Sequence, residues 1–165
     1  MKKIYFILTI AVIITACQQN PETIPIDTEA EKAAISALFD KFKSEFIAKD
    51  VNAMTALLTD NALSCGTDPS EFWDKKQISD LWAQGFADTS FTINYSIDRR
   101  EIRVAPDGKS AIVVEQYVFP ILSTKIPLRN IYLAVKADGN WMIDFISWNF
   151  IPKNEDIPKL NKALE

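Results

Sequence analysis

Residues 126–151 read IPLRNIYLAVKADGNWMIDFISWNFI, and this stretch decides the fold class. Its Asp138-Gly139-Asn140 tripeptide separates two runs that are rich in β-branched and aromatic residues. Asp-Gly readily adopts the positive φ angles of a tight hairpin turn, and runs of this composition favour strands. Two antiparallel strands, 126–137 and 141–151, are therefore predicted around one turn.

The same pattern continues toward the N-terminus. Residues 91–97 alternate apolar with polar side chains, and Pro106-Asp107-Gly108 is a second hairpin-turn sequence before residues 110–120. Because a period of two is typical of strands, four long antiparallel strands are predicted in all. Residues 62–66 are predicted as one further, short strand.

Before Gly85 the apolar residues recur at helical spacing, which predicts three helices. Thr28 with Glu31, and Asp74 with Gln77, have the spacing of capping boxes at the start of the first and third helices. Helices followed by strands indicate an α+β domain with one sheet. The predicted helix faces are Ile35, Leu38, Phe39, Phe42 and Phe46, then Val51, Met54, Leu57 and Leu58, then Ile78, Leu81 and Trp82.

The N-terminus has the features of a targeting segment. Lys2 and Lys3 precede an apolar run over residues 4–14, which is too short to span a bilayer as a helix. The run ends in small residues before Ala16-Cys17, and this ending resembles the lipobox of bacterial lipoproteins.

That resemblance implies cleavage of a signal peptide, residues 1–16, and lipid modification of Cys17. Two or more acyl chains together hold a protein stably on a membrane. Gln18 rather than Asp follows the cysteine, which by the usual rule for Gram-negative lipoproteins implies the outer membrane. Residues 17–27 are then the lipidated cysteine and a polar tether.

The composition excludes several classes of function. The chain has 165 residues, a formal net charge of −4 and no histidine, and loss of Lys2 and Lys3 with the signal peptide takes the charge to −6. Histidine-based catalysis and zinc sites are therefore excluded, and no nucleic-acid partner is expected. Neither a metal nor a cofactor is predicted, because the sequence has no metal-ligand spacing and no glycine-rich phosphate loop. Cys65 loses its only potential disulfide partner once Cys17 carries lipid, and it is predicted as a small buried hydrophobe rather than a reactive thiol.

Two segments resemble motifs of a known family. Residues 66–73, GTDPSEFW, are similar to the Gly-Thr-Asp-Pro-x-Glu-x-Trp segment of the SnoaL-like group in the nuclear transport factor 2-like superfamily. Arg129 and residues 138–143, DGNWMI, are similar to that group's Arg…Asp-Gly-x-Trp-x-Ile ending. The resemblance covers residues 28–152 and leaves residues 153–165 as a C-terminal tail. It implies a cone, in which three N-terminal helices pack on a strongly curved antiparallel sheet and a pocket opens at the wide end.

The resemblance also has one informative departure. After Trp-x-Ile in the last strand, many SnoaL-like proteins carry His and then Ser, where this chain has Ser147 and Asn149. A hydroxyl has no useful proton affinity near neutral pH, which argues against acid–base catalysis of the family type. Ser147 and Asn149 are predicted to contact a ligand.

Three charged residues are further candidates for the site. Arg129 shares a predicted strand face with Ile131 and Leu133, so it either forms a structural ion pair, with Glu71 or Glu115, or binds a ligand carboxylate. Glu115 either acts as a general base with a raised pKa or faces solvent or a dimer partner, because both faces of its strand are equally apolar. Glu71 either stabilises the start of a helix or lies at the pocket mouth.

Three aromatic residues complete the candidate site. Tyr95, Tyr117 and Trp73 either line an apolar pocket with polar tips or belong to the core.

Two surface features are also predicted. Trp148 and Phe150 are placed on the convex face of the sheet, which favours a homodimer contact there. Arg99, Arg100 and Arg103 are placed at a solvated strand edge.

These observations favour a lipid-anchored domain of the cell envelope that binds a small, mostly apolar ligand without catalysis. One alternative is an isomerase, dehydratase or cyclase with Glu115 or Glu71 as base and Tyr95 or Tyr117 as hydrogen-bond donor. The other alternative is a structural or protein-interaction module that pairs through its sheet.

Overall fold

Three helices precede the main strands, as the periodicity predicts. In the computed structural model, which describes residues 26–165, α1 spans Thr28–Ala48, α2 Val51–Ala56 and α3 Lys75–Phe86. The predicted signal peptide, Cys17 and most of the tether lie outside the described residues. After the last strand come a short 3-10 turn, Asn154–Asp156, and α4, Ile157–Ala163. In the part of the chain that is described, no helix combines the length and apolarity needed to cross a bilayer.

Six strands form one curved sheet in the order β2-β1-β6-β5-β4-β3. Neighbouring strands are antiparallel except β1 and β6, which run parallel. The strands are β1 (Leu58–Cys65), β2 (Phe72–Asp74), β3 (Arg99–Val104), β4 (Ser110–Tyr117), β5 (Leu128–Ala137) and β6 (Asn140–Phe150).

Several element boundaries differ from the prediction, most clearly at residues 91–97 and at Leu58. Residues 91–97 form no strand, and β3 begins only at Arg99. The reason is the partner strand, because β4 ends at Tyr117 and Asp98 already bonds to Gln116 next to that end. Leu58, predicted on the second helix, is instead the first residue of β1 and pairs with Ile143.

Both hairpin turns are confirmed. Gly108 has a φ of 65° in the β3–β4 turn, and Asp138 and Gly139 have φ angles of 49° and 82° in the β5–β6 turn. Two consecutive positive φ angles match the right-handed twist of the flanking strands, and glycine adopts them without a Cβ penalty.

The two predicted helix caps have different outcomes. The capping box of Asp74 and Gln77 is present at the start of α3. The box predicted for Thr28 is wrong, because the Asp27 carboxylate caps α1 by accepting the N–H of Ala30 at 3.0 Å.

Glu31, the other member of that predicted box, ties α1 to the β5–β6 hairpin. Its carboxylate accepts hydrogen bonds from the Lys136 ammonium at 2.5 Å and from the Trp141 indole N–H at 2.7 Å. The carboxylate therefore packs the helix on the sheet instead of capping the start of the helix.

The core lies between the helices and the concave face of the sheet. The predicted faces of α1 and α3 supply its upper layer, while alternate residues of β1, β4, β5 and β6 supply its floor. The buried residues of this core cluster are Ile35, Leu38, Phe39, Phe42, Met54, Leu58, Ala62, Ile78, Trp82, Ala111, Val113, Tyr132, Ala134, Trp141, Ile143 and Ile146.

Candidate functional site

A cavity of about 310 Å³ opens on the concave face, between the C-terminal part of α1, α3 and strand β6. Leu81 and Leu122 line it and are themselves exposed, so they form part of its rim. The aromatic residues of the lining are Phe46, Trp73, Trp82, Phe86, Tyr117, Phe119 and Trp148.

Few polar side chains face this cavity. Apart from the indole N–H groups, only Thr67, Glu71 and Tyr117 contribute side-chain polar atoms to the lining. Three residues predicted for the site, Glu71, Trp73 and Tyr117, are therefore brought together here. Such a surface favours molecules that are mostly apolar.

The Glu71 carboxylate is held by the loop that enters β2. Its Oε2 accepts the backbone N–H of Asp68 at 2.9 Å, and its backbone carbonyl accepts the N–H of Gly66 at 2.9 Å. A Cβ on Gly66 would lie 2.0 Å from Oε2, so only glycine leaves room for the carboxylate. The GTDPSEFW segment thus positions one acidic group at the cavity wall.

Tyr95 lies behind the cavity wall rather than in it. Its ring packs on that of Tyr117 with the centroids 4.7 Å apart, Phe46 contacts Tyr95, and Phe119 contacts both rings. Burial raises the pKa of both phenols well above the usual value. Both hydroxyls are therefore neutral at physiological pH and can donate a hydrogen bond.

Glu115 faces inward, which resolves the alternatives that the sequence left open for its direction. The side chain is 4% exposed, and its Oε1 accepts the Nε–H of Arg100 at 2.7 Å. Arg100 also donates to Asp40 at 2.7 Å and to the Ser36 hydroxyl at 2.9 Å. The prediction of a solvated edge is therefore wrong for Arg100, because alternation along β3 turns it inward while Arg99 stays exposed.

The environment of Glu115 does not resemble that of a base facing a ligand. Burial raises the pKa of its carboxyl, and the Arg100 guanidinium opposes that rise. Its second oxygen accepts the Tyr132 hydroxyl at 3.2 Å. Both oxygens are thus occupied within the core, and Glu115 is not among the residues that line the cavity.

The inward direction predicted for Arg129 is wrong. Arg129 is exposed on the outer face of the sheet and donates to the Gln116 side chain at 3.0 Å. The residues of β5 that point inward are Leu128, Asn130 and Tyr132. The prediction assigned Arg129 to the concave face because it alternates with Ile131. That alternation could not decide the face, since β5 is apolar on both sides.

Ser147 and Asn149 also lie on the outer face and are absent from the cavity lining. The register between β5 and β6 shifts at Asp144, an extra residue that reverses the direction of those that follow it. Trp148 and Phe150 consequently take the concave side, and Trp148 lines the cavity. Their predicted convex position is wrong for this reason.

Sequence reasoning missed Asn130 as well. This residue is 1% exposed, and its amide nitrogen donates to the hydroxyls of Tyr117 at 2.8 Å and Tyr132 at 2.9 Å. The available signal was a polar residue, Asn130, in a largely apolar strand. The correct register between β4 and β5 would have shown that Asn130 lies opposite Glu115.

Metal ligands are not grouped in the described part of the chain. Among residues 26–165, no three His, Cys, Asp or Glu side chains are close enough to hold an ion together.

Helices packed on the concave face of a curved sheet, with an apolar cavity between the layers, define a domain of the nuclear transport factor 2-like, or cystatin-like, class. The model of the SnoaL-like domain matches residues 35–146. The chain belongs to this SnoaL-like family.

Solved structures share the fold at low sequence identity. A cystatin-like domain of unknown function from Nostoc punctiforme has a TM-score of 0.65 at 18% identity, over 82% of this chain and 86% of that one. A nuclear transport factor 2-like protein of unknown function from Pseudomonas putida has a TM-score of 0.64 at 13% identity, over 79% and 92%. A nuclear transport factor 2-like protein from Cytophaga hutchinsonii has a TM-score of 0.60 at 17% identity, over 73% of this chain and 98% of that one. No curated protein matches the chain.

Proposed function

We propose that this protein binds a small, mostly apolar ligand in the concave cavity and does not transform it. The observation that carries the proposal is the lining itself, in which seven aromatic side chains surround a space of about 310 Å³. This volume lies at the lower end of the range for small-molecule pockets. Binding would be driven by removal of apolar surface from water, at about 25 cal/mol per Å².

The acidic groups of the concave side support binding over catalysis. Glu115 is paired with Arg100 and lies outside the lining, and Glu71 accepts a backbone N–H. The chain contains no histidine to share proton transfer with either. General acid–base catalysis requires a group that is free to exchange a proton with the substrate.

The test is a cavity-filling variant with a matched control. Gly85 lines the cavity, and a Cβ there meets no atom within 4 Å, so Gly85→Phe fills the space without a backbone clash. Gln84, exposed on the same helix, provides the control Gln84→Phe. Titration of the purified full chain with N-phenyl-1-naphthylamine, which fluoresces in apolar sites, measures binding.

The expected result is saturable binding by the parent and Gln84→Phe, with affinity lowered at least tenfold in Gly85→Phe. Native mass spectrometry of the gently extracted parent should show a bound small molecule. No binding by the parent, or equal binding by both variants, would remove the proposal.

A second candidate is an enzyme that uses Glu71 as base and Tyr117 as donor. The observation that favours it is that both side chains line the same cavity. In deuterated water, such an enzyme would replace the protons next to the carbonyl group of a bound apolar ketone with deuterium. Deuterium uptake that is catalysed by the parent and lost in Glu71→Gln would establish it, and no uptake across a panel of ketones would exclude it.

The N-terminal sequence supports a location for this activity. We propose that Cys17 carries the lipid and anchors the domain to the outer membrane of a Gram-negative cell envelope, with residues 17–27 as tether. Lys2, Lys3, the apolar run and Ala16-Cys17 support this proposal. Labelled palmitate should enter the parent but not Cys17→Ser, and density fractionation should place the parent with outer-membrane markers.

The outer face of the sheet supports a homodimer. Leu63, Ile112 and Ile131 are exposed there by 42%, 51% and 40%. Large apolar side chains exposed on one face of a sheet are often part of a protein interface. Sedimentation should show a dimer for the parent and a monomer for the double variant Ile112→Asp, Ile131→Asp, whereas a parent monomer at high concentration would exclude this pairing.

A further inference from the structure

The aromatic cavity contains one charged side chain. Glu71 lines it, and no lysine or arginine of the described residues does. None of the ion pairs within residues 26–165 includes Glu71. A ligand in this cavity therefore meets a single carboxylate without a counter-ion.

The other polar groups of the core do not change this charge. Arg100, Glu115, Tyr132, Asn130 and Tyr117 form a buried chain of hydrogen bonds. Of these five residues only Tyr117 lines the cavity, and its phenol is neutral because burial raises its pKa. Arg100 and Glu115 are paired with each other behind the wall, so the charge of the lining comes from Glu71.

The position of the Glu71 side chain follows from Gly66. Cys65 pairs with Ser147 in the parallel ladder of β1 and β6, so the next residues along, Gly66 and Trp148, are neighbours. On its other side, the Gly66 N–H donates to the Glu71 carbonyl at 2.9 Å. Gly66 thus lies in one row between Glu71 and Trp148, and it has no side chain to separate them.

The carboxylate occupies the space over Gly66. A Cβ on this glycine would lie 2.0 Å from Glu71 Oε2. Ser64, two residues earlier, is fully buried on the concave side, and directions alternate along a strand, so the Cβ direction of Gly66 is concave as well. The Glu71 carboxylate consequently lies on the cavity side of the sheet, between its own main chain and Trp148.

One oxygen of this carboxylate is available to a ligand. Oε2 accepts the backbone N–H of Asp68 at 2.9 Å, whereas Oε1 accepts from no described residue. Oε1 is not one of the buried side-chain atoms that lack a partner, so it is accessible. Because a carboxylate can only accept hydrogen bonds, the group that complements Oε1 is a donor.

We propose that the polar end of the ligand is an ammonium group, which pairs with Glu71 Oε1 beside Trp148. This inference rests on the proposed function and specifies its ligand class as an apolar amine in its protonated form. The faces of aromatic rings attract cations, indole most strongly, and three tryptophans line the cavity. An anionic end is unsuited to this place, because it would meet the Glu71 carboxylate with no cation in the lining.

The test uses a matched set of compounds that displace N-phenyl-1-naphthylamine from the full chain at neutral pH. The compounds are 4-tert-butylbenzylamine, 4-tert-butylbenzyl alcohol, 4-tert-butyltoluene and 4-tert-butylbenzoate, which share one apolar body. The ammonium should bind about tenfold more tightly than the alcohol, because a hydrogen bond between two charged groups is stronger than one with a neutral partner. The benzoate should bind more weakly than the hydrocarbon.

Two variants that each remove one negative charge complete the test. Glu71→Gln keeps an oxygen for the Asp68 N–H and should weaken the ammonium about tenfold, with less than about twofold change for the alcohol and the hydrocarbon. Asp80→Asn is the control, because Asp80 is exposed on α3 outside the lining. Every affinity of this control should stay within about twofold of the parent.

The two proposals fail in different ways. If the hydrocarbon and the alcohol bind but the ammonium has no advantage over the alcohol in the parent, the ammonium inference is overturned while the apolar cavity stands. The same holds if Asp80→Asn removes that advantage as fully as Glu71→Gln does. If neither the probe nor any of the compounds binds to the parent, the proposed function itself is overturned.

Discussion

The two faces of β4 and β5 each combine polar with apolar side chains, but in different environments. On the concave face, Glu115, Asn130 and Tyr132 are buried next to one another. On the outer face, Ile112 and Ile131 are largely exposed. A cluster of polar side chains is therefore buried on one face, while large apolar side chains are exposed on the other.

The difference shows that hydrogen-bond partners allow polar residues into a core that is otherwise apolar. A buried carboxylate or amide is costly alone but tolerated when its hydrogen bonds are made. Glu115 has partners on β3 and β5, and Asn130 bonds to two phenols. Loss of a partner inside should therefore cost far more stability than any change on the outer face.

The largest effect is expected for Arg100→Met. This variant leaves Glu115 buried without its counter-ion, which should lower the free energy of unfolding by about 3–5 kcal/mol. Arg99→Met, on the same strand but exposed, should change it by less than about 0.5 kcal/mol. Urea denaturation followed by tryptophan fluorescence measures both.

A double variant sharpens this prediction. Arg100→Met with Glu115→Leu removes both charges and should recover most of the lost stability, because an apolar pair of similar volume can replace a buried ion pair. A double variant as unstable as Arg100→Met would mean that packing, rather than the unpaired charge, causes the loss.

The next largest effect is expected for Ile146→Ala on the concave face. Ile146 is fully buried, and truncation should cost about 2–5 kcal/mol through lost burial and a residual cavity. Ile112→Ala removes the same atoms from the outer face and should cost less than about 1 kcal/mol in dilute protein. Comparable losses for the two variants in denaturant titrations would contradict the assignment of faces.

A smaller effect is expected for Tyr132→Phe. This change removes one donor to Glu115 and one acceptor for Asn130 while keeping the ring, so about 1–3 kcal/mol should be lost. Tyr95→Phe is the control, and its melting temperature should stay close to that of the parent. If both variants melt together, the buried chain contributes no stability.

The smallest effect is a difference in pH dependence between two carboxylates. Hydrogen bonds from Lys136 and Trp141 lower the pKa of Glu31 below its usual 4.5, so its contribution is present above that pH and lost as pH falls. Burial raises the pKa of Glu115, so the folded state holds its proton more tightly, and stability falls as pH rises from 4.5 toward the raised pKa.

Stability measured at a series of pH values in Glu31→Gln and Glu115→Gln separates the two. The advantage of the parent over Glu31→Gln should shrink on acidification. The stability of the parent relative to Glu115→Gln should instead rise on acidification from the raised pKa toward 4.5. Equal slopes for both variants would show that the two environments do not differ in this way.

Elements that depend on neighbours in sequence were predictable. The faces of α1 and α3, the Asp74–Gln77 cap and the Asp138-Gly139 turn all depend on residues within a few positions of one another. The motif around Glu71 and Trp73 also led to the cavity, because one short loop positions both residues.

The direction of strand residues was not predictable from local pattern. Both faces of β4 and β5 are apolar, so alternation alone could not assign Glu115 or Arg129 to a side. The extra residue at Asp144 then reversed Ser147 and Trp148, and no residue near it in sequence marks that shift. The cap of α1 was likewise not predictable, because Glu31 bonds to the distant Lys136 and Trp141 while Asp27 caps the helix.

Short-range chemistry thus accounts for the α+β architecture and for the loop that carries Glu71, since turns, caps and periodicity involve only adjacent residues. The cavity lining and the buried chain from Arg100 to Tyr117 depend on pairs that lie 2 to 17 positions apart and on the register that aligns them. Register is a property of the whole sheet, because each strand is positioned by its neighbours and one inserted residue reverses a face. For that reason the aromatic lining around Glu71 became visible only when the strands were assembled.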